Sequence, residues 1–255
     1  WTHIGYHKKL KLRSFAQKKH KNLEAVVLQN ADELLVTSPK TKTLFLELTT
    51  QPITVLTNGF DFQITDDSSL DSKFTLSHIG SLLEGRNPFV LWKVLSDLIK
   101  ESVDFAAAFQ LNLIGSLSTE VLETIQSYGL ESYIFTIGYI PHNAVLDYQK
   151  KTQLLLLIEE DSKETEYIIP GKLFEYMGSK RPIIAIGPKT SDIETILNQT
   201  RSGTYFRYDE AAALRTLLLQ HFEAYKTQQL KVDSKGLEAY SRKSLTQQLA
   251  QKLRN

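Results

Sequence analysis

The chain has no cysteine, which excludes disulfide scaffolds, thiol nucleophiles and cysteine-ligated zinc or iron–sulfur centres. It also lacks any apolar run near the roughly 18 residues that a membrane-spanning helix needs. Its densest stretch, Leu154–Ile158, is strand-sized. No signal-peptide pattern opens the chain, and the first residue is Trp1 rather than Met, so the start is expected to be a cut. Fixed-period repeats and low-complexity tracts are missing. There is no GxGxxG and no Walker pattern, so neither a nicotinamide fingerprint nor a P-loop is present. The six histidines (His3, His7, His20, His78, His142 and His221) show no metal-ligand spacing with acids, so no metal is expected. The lack of cysteine fits a reducing compartment, and a cytoplasmic location is the expectation.

What remains is an ordinary globular composition over 255 residues, 42% hydrophobic and 23% charged. That length suits one to two domains and a core that needs no staples. The net charge of +1 is unevenly spread. Residues 1–22 hold Lys8, Lys9, Lys11, Arg13, Lys18, Lys19 and Lys21 and no acid, so the rest of the chain is net acidic. Few aromatics interleave with these charges, which argues against nucleic acid as a partner. The arm reads as a solvated helix face or linker, and a peripheral contact with an anionic membrane, at its inner face, stays open.

Short apolar runs alternate with segments of helical period. The expected strands are Glu33–Ser38, Ile53–Leu56, Thr75–Ile79, Phe109–Ile114, Tyr133–Ile137, Gln153–Leu157, Ile183–Ile186 and Gly203–Phe206. Between them lie helices over Lys40–Leu48, Pro88–Lys100, Thr119–Tyr128, Asn143–Lys150, Gly171–Ser179, Ser191–Asn198 and Glu210–Tyr225. Strands separated by helices of this length predict an α/β, Rossmann-like parallel sheet with helices on both faces. Asn87 before Pro88 reads as a helix cap, as does Ser118, and Gly129 as a left-handed helix end. Residues 8–30 read as a basic, then amphipathic helix. Residues 235–253 read as one polar helix carrying Leu237, Tyr240, Leu245, Leu249 and Leu253 on a face that needs cover.

In an open parallel sheet, ligands sit beyond the carboxyl ends of the strands. Three loops there draw notice. The first, His78 to Pro88, contains Gly80, Ser81, Gly85 and Arg86 and opens a helix. Glycines let the backbone approach a ligand, and Arg86 suits a phosphate; an ordinary βα turn is the other reading. The second is Gly138-Tyr139-Ile140-Pro141-His142, whose backbone suits a base edge, with His142 a polar helix-start residue. The third runs from Glu159-Glu160 to Tyr167 and on to Pro170-Gly171-Lys172-Leu173-Phe174-Glu175. The helix beginning at Gly171 has free amides for an anion. Glu175 is placed to accept from a ribose diol, or else simply supports the helix start. The adjacent Glu159 and Glu160 are expected to lie in a solvated loop.

These segments together resemble the C-terminal half of group-one glycosyltransferases, the retaining family-four enzymes of the GT-B fold. The resemblance is carried by Ala31-Asp32-Glu33-Leu34-Leu35-Val36-Thr37-Ser38, by Ile53-Thr54-Val55-Leu56-Thr57-Asn58-Gly59-Phe60-Asp61 and by the Gly80–Pro88 loop. Phe135-Thr136-Ile137-Gly138-Tyr139-Ile140 and Pro170–Tyr176 with Arg181-Pro182-Ile183-Ile184-Ala185 complete it. It covers about residues 25–225. It implies a nucleotide sugar, UDP- or GDP-linked, as substrate, and neither cofactor nor required metal. Glu175 would bind the ribose hydroxyls, Arg86 the diphosphate, and Pro170, Gly171, Lys172 and Leu173 would line the phosphates. Gly138, Tyr139 and Ile140 would frame the base, and Asn58-Gly59 would be the hinge. No catalytic residue is implied. Ser81 stands where the family has a diphosphate-binding arginine, and Tyr167 where it has a first glutamate. Residues 1–30 would be the end of an N-terminal acceptor domain absent from this chain, 31–225 the Rossmann-like donor domain, and 226–255 a helix returning to the absent domain. Such a chain would bind donor without turning it over. The competing expectations are a non-catalytic interaction module and another GT-B enzyme, such as a nucleotide-sugar epimerase. For a phosphorylase, nothing marks a pyridoxal lysine.

Overall fold

The computed structural model describes residues 2–3, 7–61 and 69–254, apart from the side chains of Lys8 and Lys9. Trp1 and those two basic-arm side chains therefore lie outside the described residues. Helix α1 (Ser14–Asn30) leads to β1 (Leu34–Val36), α2 (Pro39–Leu46) and β2 (Ile53–Val55). Then come β3 (Phe74–Ile79), α3 (Phe89–Glu101), α4 (Val103–Ala108), β4 (Phe109–Ile114), α5 (Thr119–Ser127) and β5 (Ile134–Ile137). The second half holds α6 (His142–Lys151), β6 (Leu154–Ile158), α7 (Gly171–Gly178), β7 (Ile183–Gly187), α8 (Asp192–Thr200), β8 (Gly203–Arg207), α9 (Ala211–Lys226) and α10 (Arg242–Lys252).

Strands β3 to β8 form one six-stranded parallel sheet in the order β5-β4-β3-β6-β7-β8. Its central strand β6 is apolar at every position because helices cover both faces. Leu154, Leu156 and Ile158 face one layer, with Trp92 and Leu95 of α3, Val121 and Ile125 of α5 and Leu218 and Phe222 of α9. Leu155 and Leu157 face the other, with Leu173, Phe174 and Met177 of α7 and Ile193 and Leu197 of α8. Each such fully buried side chain contributes about 1.5–3 kcal/mol of transfer free energy.

Four expectations are revised. First, β1 and β2 pair in parallel only with each other, over a small separate core of Leu28, Leu34, Val36, Phe45 and Ile53. The doubly covered sheet runs from Phe74 to Arg207. Second, residues 235–253 are not one helix. Ser241 is extended because Phe60 pairs with its neighbours: Phe60 N–H donates to Tyr240 O (3.1 Å) and Arg242 N–H to Phe60 O (2.9 Å). Ser241 then caps α10 through Ser244 N–H. Third, Asn87 is no cap. Its Oδ1 accepts from Trp92 Nε1 (2.7 Å), and Pro88 precedes α3 without a side-chain cap. Fourth, α4 is an extra single-turn helix, capped by Ser102. Ser118 caps α5, and Gly129 has φ +70° after it.

Candidate functional site

Strand order reverses between β3 and β6, the neighbours at the centre of the sheet. At such a switch point the loops leave in opposite directions and open a crevice. Three chain segments meet there. After β3, Gly80 takes φ +128°, and its N–H donates to Ile114 O (2.7 Å). A Cβ at Gly115, after β4, would sit 2.6 Å from Gly80 O, so the two loops touch backbone to backbone. Only glycine permits that approach at these positive φ angles. The loop then carries Arg86 across to the end of β6, where its Nη2 lies 3.3 Å from Glu159 Oε2. From α7, the Lys172 ammonium lies 3.4 Å from the point where a Cβ on Gly80 would be. Tyr176, fully buried, fastens α7 to the same edge by accepting from Ile79 N–H (3.0 Å).

The expectation of a solvated Glu159 is overturned. Glu159 is 1% exposed, and its Oε1 has no hydrogen-bond partner among the described residues. Burial pushes its carboxyl pKa up, while Arg86 and Lys172 pull it back. Burial lowers Lys172 to about 8, against the attraction of Glu159 and with the repulsion of Arg86. Behind them His78 is fully buried and held well below its ordinary pKa by that burial and by the two cations, so it is neutral. Two cations thus face one buried carboxylate. The adjoining start of α7 has no side-chain cap, and a Cβ at Gly171 would meet nothing within 4 Å. This edge can accept an anion.

Glu175, three residues beyond Lys172 on α7, lines a cleft of about 330 Å³ with Phe60, Asp61, His142, Gln149 and Arg242. Gln149 Nε2 donates to its Oε2 (3.4 Å), and Arg242 pairs with Asp61 (2.8 Å) at the cleft. The structure brings Gly80, Arg86, Gly171 and Lys172 to one edge and Glu175 to the cleft one helical turn away. Pro170 precedes α7 and Ser81 is exposed beside Gly80. Leu173 is buried, and its N–H is bonded to Pro170 O (3.0 Å), so it packs the core. Gly138, Tyr139 and Ile140 do not line the cleft, and Tyr139 is 91% exposed. Gly59 is buried, where a Cβ would meet Leu245 Cδ1 and Tyr240 O at 2.5 Å, and Asn58 is exposed. Sequence reasoning missed Glu159 and Tyr176. The signal for Glu159 was its place as the first residue after a strand buried on both faces. Among the described residues no group of three His, Asp or Glu is placed to hold a metal, and no helix is long and apolar enough to cross a membrane.

No protein-family model matches the chain, and no curated protein does either. Solved structures do match its fold. Sucrose-phosphate synthase from Thermosynechococcus elongatus superposes with a TM-score of 0.69 at 16% identity, over 100% of this chain and 66% of that one. HepE from Anabaena, in complex with UDP, gives 0.70 at 16% identity, over 88% of this chain and 64% of that one. WaaG, a glycosyltransferase involved in lipopolysaccharide biosynthesis, gives 0.65 at 14% identity, over 95% and 72%. The chain therefore spans about two thirds of the length of these proteins. Its fold is the Rossmann-like α/β arrangement of GT-B glycosyltransferases.

Proposed function

We propose that the chain is the donor-binding part of a retaining glycosyltransferase of family four, taking a nucleoside-diphosphate sugar without a metal. The observation that carries this is the crevice at the β3/β6 switch point. There Arg86 and the open start of α7 form a cationic edge, and Glu175 lines a cleft one turn along. In this reading the edge takes the diphosphate and the cleft takes the nucleoside, whose ribose diol donates to Glu175. Arg86 and the α7 amides stabilise charge on the departing diphosphate. Closure about Asn58-Gly59 brings the donor to an acceptor held by a further domain, so this chain alone binds donor without transferring the sugar. The exposed, basic α1 is the part that meets an anionic membrane surface in a cytoplasmic protein. Support comes from the HepE structure, which holds UDP on a similar fold.

Calorimetric titration with UDP, GDP and ADP tests the reading. One diphosphate is expected to bind with a Kd between micromolar and millimolar. Glu175→Ala is expected to weaken it about tenfold or more, the worth of a hydrogen bond to a charged group. If none of the three binds, the donor reading fails. A second reading then gains, favoured by the exposed Phe15 (81%) and Val26 (56%) of α1: a non-catalytic module that binds a partner through that helix.

A further inference from the structure

A cavity of about 700 Å³ opens at the amino ends of β3 and β6, the opposite edge of the sheet from the crevice. Strands of five to six residues, at about 3.3 Å per residue, set the two edges roughly 20 Å apart. The volume lies within the ~300–1,000 Å³ usual for small-molecule sites. Asp71, Gln153, Leu70, Tyr225, Gln228 and Leu230 line it. Its polar groups are fixed from behind. Gln153 Nε2 donates to Asp71 O (2.7 Å), Arg181 Nη2 to Gln153 O (3.1 Å) and Asp71 N–H to Lys151 O (2.8 Å). Thr75 Oγ1 donates to Asp71 Oδ2 (2.9 Å), while Asp71 Oδ1 takes no hydrogen bond from a described residue. Tyr225 is held by its hydroxyl, which donates to Ser72 O. Gln228 is left-handed at φ +56°, just past α9, where glycine is the usual residue. Its side-chain amide makes no hydrogen bond with a described residue.

The free carboxylate oxygen calls for a donor, and its surroundings decide which kind. Burial pushes the Asp71 carboxyl up, while Thr75, Lys151 and Arg181 pull it back. Lys226 borders the cavity as well. A cationic ligand would meet three positive charges, and an anionic one the Asp71 carboxylate. What fits is a donor that brings no charge, which is a hydroxyl group. Hydroxyls can donate to Asp71 Oδ1 and exchange hydrogen bonds with the Gln228 amide. Leu70, Leu230 and the Tyr225 ring offer apolar surface to the C–H face of the same ring compound. We propose that this cavity is a carbohydrate-binding site separate from the crevice, taking a neutral saccharide, with Asp71 as the acceptor that orients it. The proposal does not rest on the donor reading, because no group of the crevice takes part in it.

The test is NMR titration of the isotopically labelled chain with glucose, galactose, mannose and N-acetylglucosamine, beside the charged glucosamine and glucuronate. At least one neutral sugar is expected to bind with a millimolar Kd and to shift the amides of Asp71, Gln153 and Gln228. Glucosamine and glucuronate should bind at least about tenfold more weakly than that sugar. Asp71→Asn keeps an acceptor for Thr75 and puts an amide NH2 in place of the free oxygen. It is expected to lose about tenfold or more in affinity, the worth of a hydrogen bond to a charged group. Gln228→Gly removes the other polar contact and suits the left-handed turn, so it should melt no lower than the wild type while binding about threefold or more weakly. Should Asp71→Asn misfold, Gln228→Gly decides alone. Undiminished binding by either folded variant overturns the assignment, as does a charged sugar binding as tightly as the neutral one. Shifts confined to the Glu175 cleft, or none with any of the four neutral sugars, overturn it too. None of these outcomes bears on the binding of UDP, GDP or ADP, by which the donor reading stands or falls separately.

Discussion

Arg86 and Glu159 are unequal partners. The Glu159 side chain is 2% exposed and that of Arg86 is 24% exposed, so the attraction is partly screened on one side only. Removing the arginine leaves a buried carboxylate to Lys172 alone. Arg86→Met is therefore expected to destabilise the chain by about 1–3 kcal/mol, below the range for a fully enclosed pair. Adding Glu159→Gln should recover most of that loss, because the amide carries no charge to desolvate. Urea unfolding of both variants checks this, and an Arg86→Met as stable as wild type would show that the pair holds nothing together. A second titration lies on the opposite side of the sheet. Burial lowers His221 of α9 to about 4, below its ordinary 6.5. The unfolded chain then binds more protons than the folded one between these values, so His221 subtracts stability as pH falls from 6.5 towards 4. In His221→Gln the slope of unfolding free energy against pH is expected to be shallower across that window by close to one proton. An unchanged slope would mean that the imidazole is hydrated in the folded state.

Helix α7 links the two halves of the site, since Lys172 faces the crevice edge while Glu175 and Gly178 line the cleft. Its far end rests on Phe60: a Cβ at Gly178 would come within 2.5 Å of the Phe60 ring. Phe60 in turn fixes Ser241 and the entry to α10. Gly178→Ala is thus expected to cost about 1–3 kcal/mol by overpacking and to loosen α10, read as a lower melting temperature and faster proteolysis after residue 230. Cleavage unchanged in rate would separate α10 from the Phe60 contact. The same region shows what a sequence conveys about elements. Leu154–Ile158 announces a strand buried on both faces because five apolar residues in a row leave no polar side. Gly129 and Ser118 announce helix ends because their chemistry is local. The break at Ser241 is invisible because its cause, Phe60, lies far away in the chain. Glu159 is hidden for the same reason: Arg86, 73 residues earlier, and Lys172 of α7 make its burial tolerable. Val103–Ala108 merges with the apolar residues of β4 that follow it, so its single turn has no period of its own.

At the scale of the whole molecule, two units of unequal size are joined by polar contacts. Residues 14–56 close over five buried apolar side chains, and α1 leaves Phe15, Leu23, Val26 and Val27 at the surface. The six-stranded sheet has a layered core on each face. Ser38 Oγ donating to Tyr167 O (2.8 Å), Lys40 N–H to Asp192 Oδ2 (3.0 Å) and the Lys252–Glu33 pair (2.7 Å) hold the smaller unit in place. Exposed ion pairs of the last kind contribute about 0–1 kcal/mol each, so the junction is weak relative to either core. A segment held this way opens on its own before the whole chain unfolds. Amide hydrogens of Leu34–Val36 and Ile53–Val55 are therefore expected to exchange at least about tenfold faster than those of Leu154–Ile158, a difference of about 1.4 kcal/mol or more in opening free energy. Hydrogen exchange followed by mass spectrometry resolves the three strands. Equal protection would mean that the Ser38 and Lys40 contacts couple the two units into one cooperative structure. Motion about Asn58-Gly59 would then have to break them, and the closure proposed for the donor site would need another pivot.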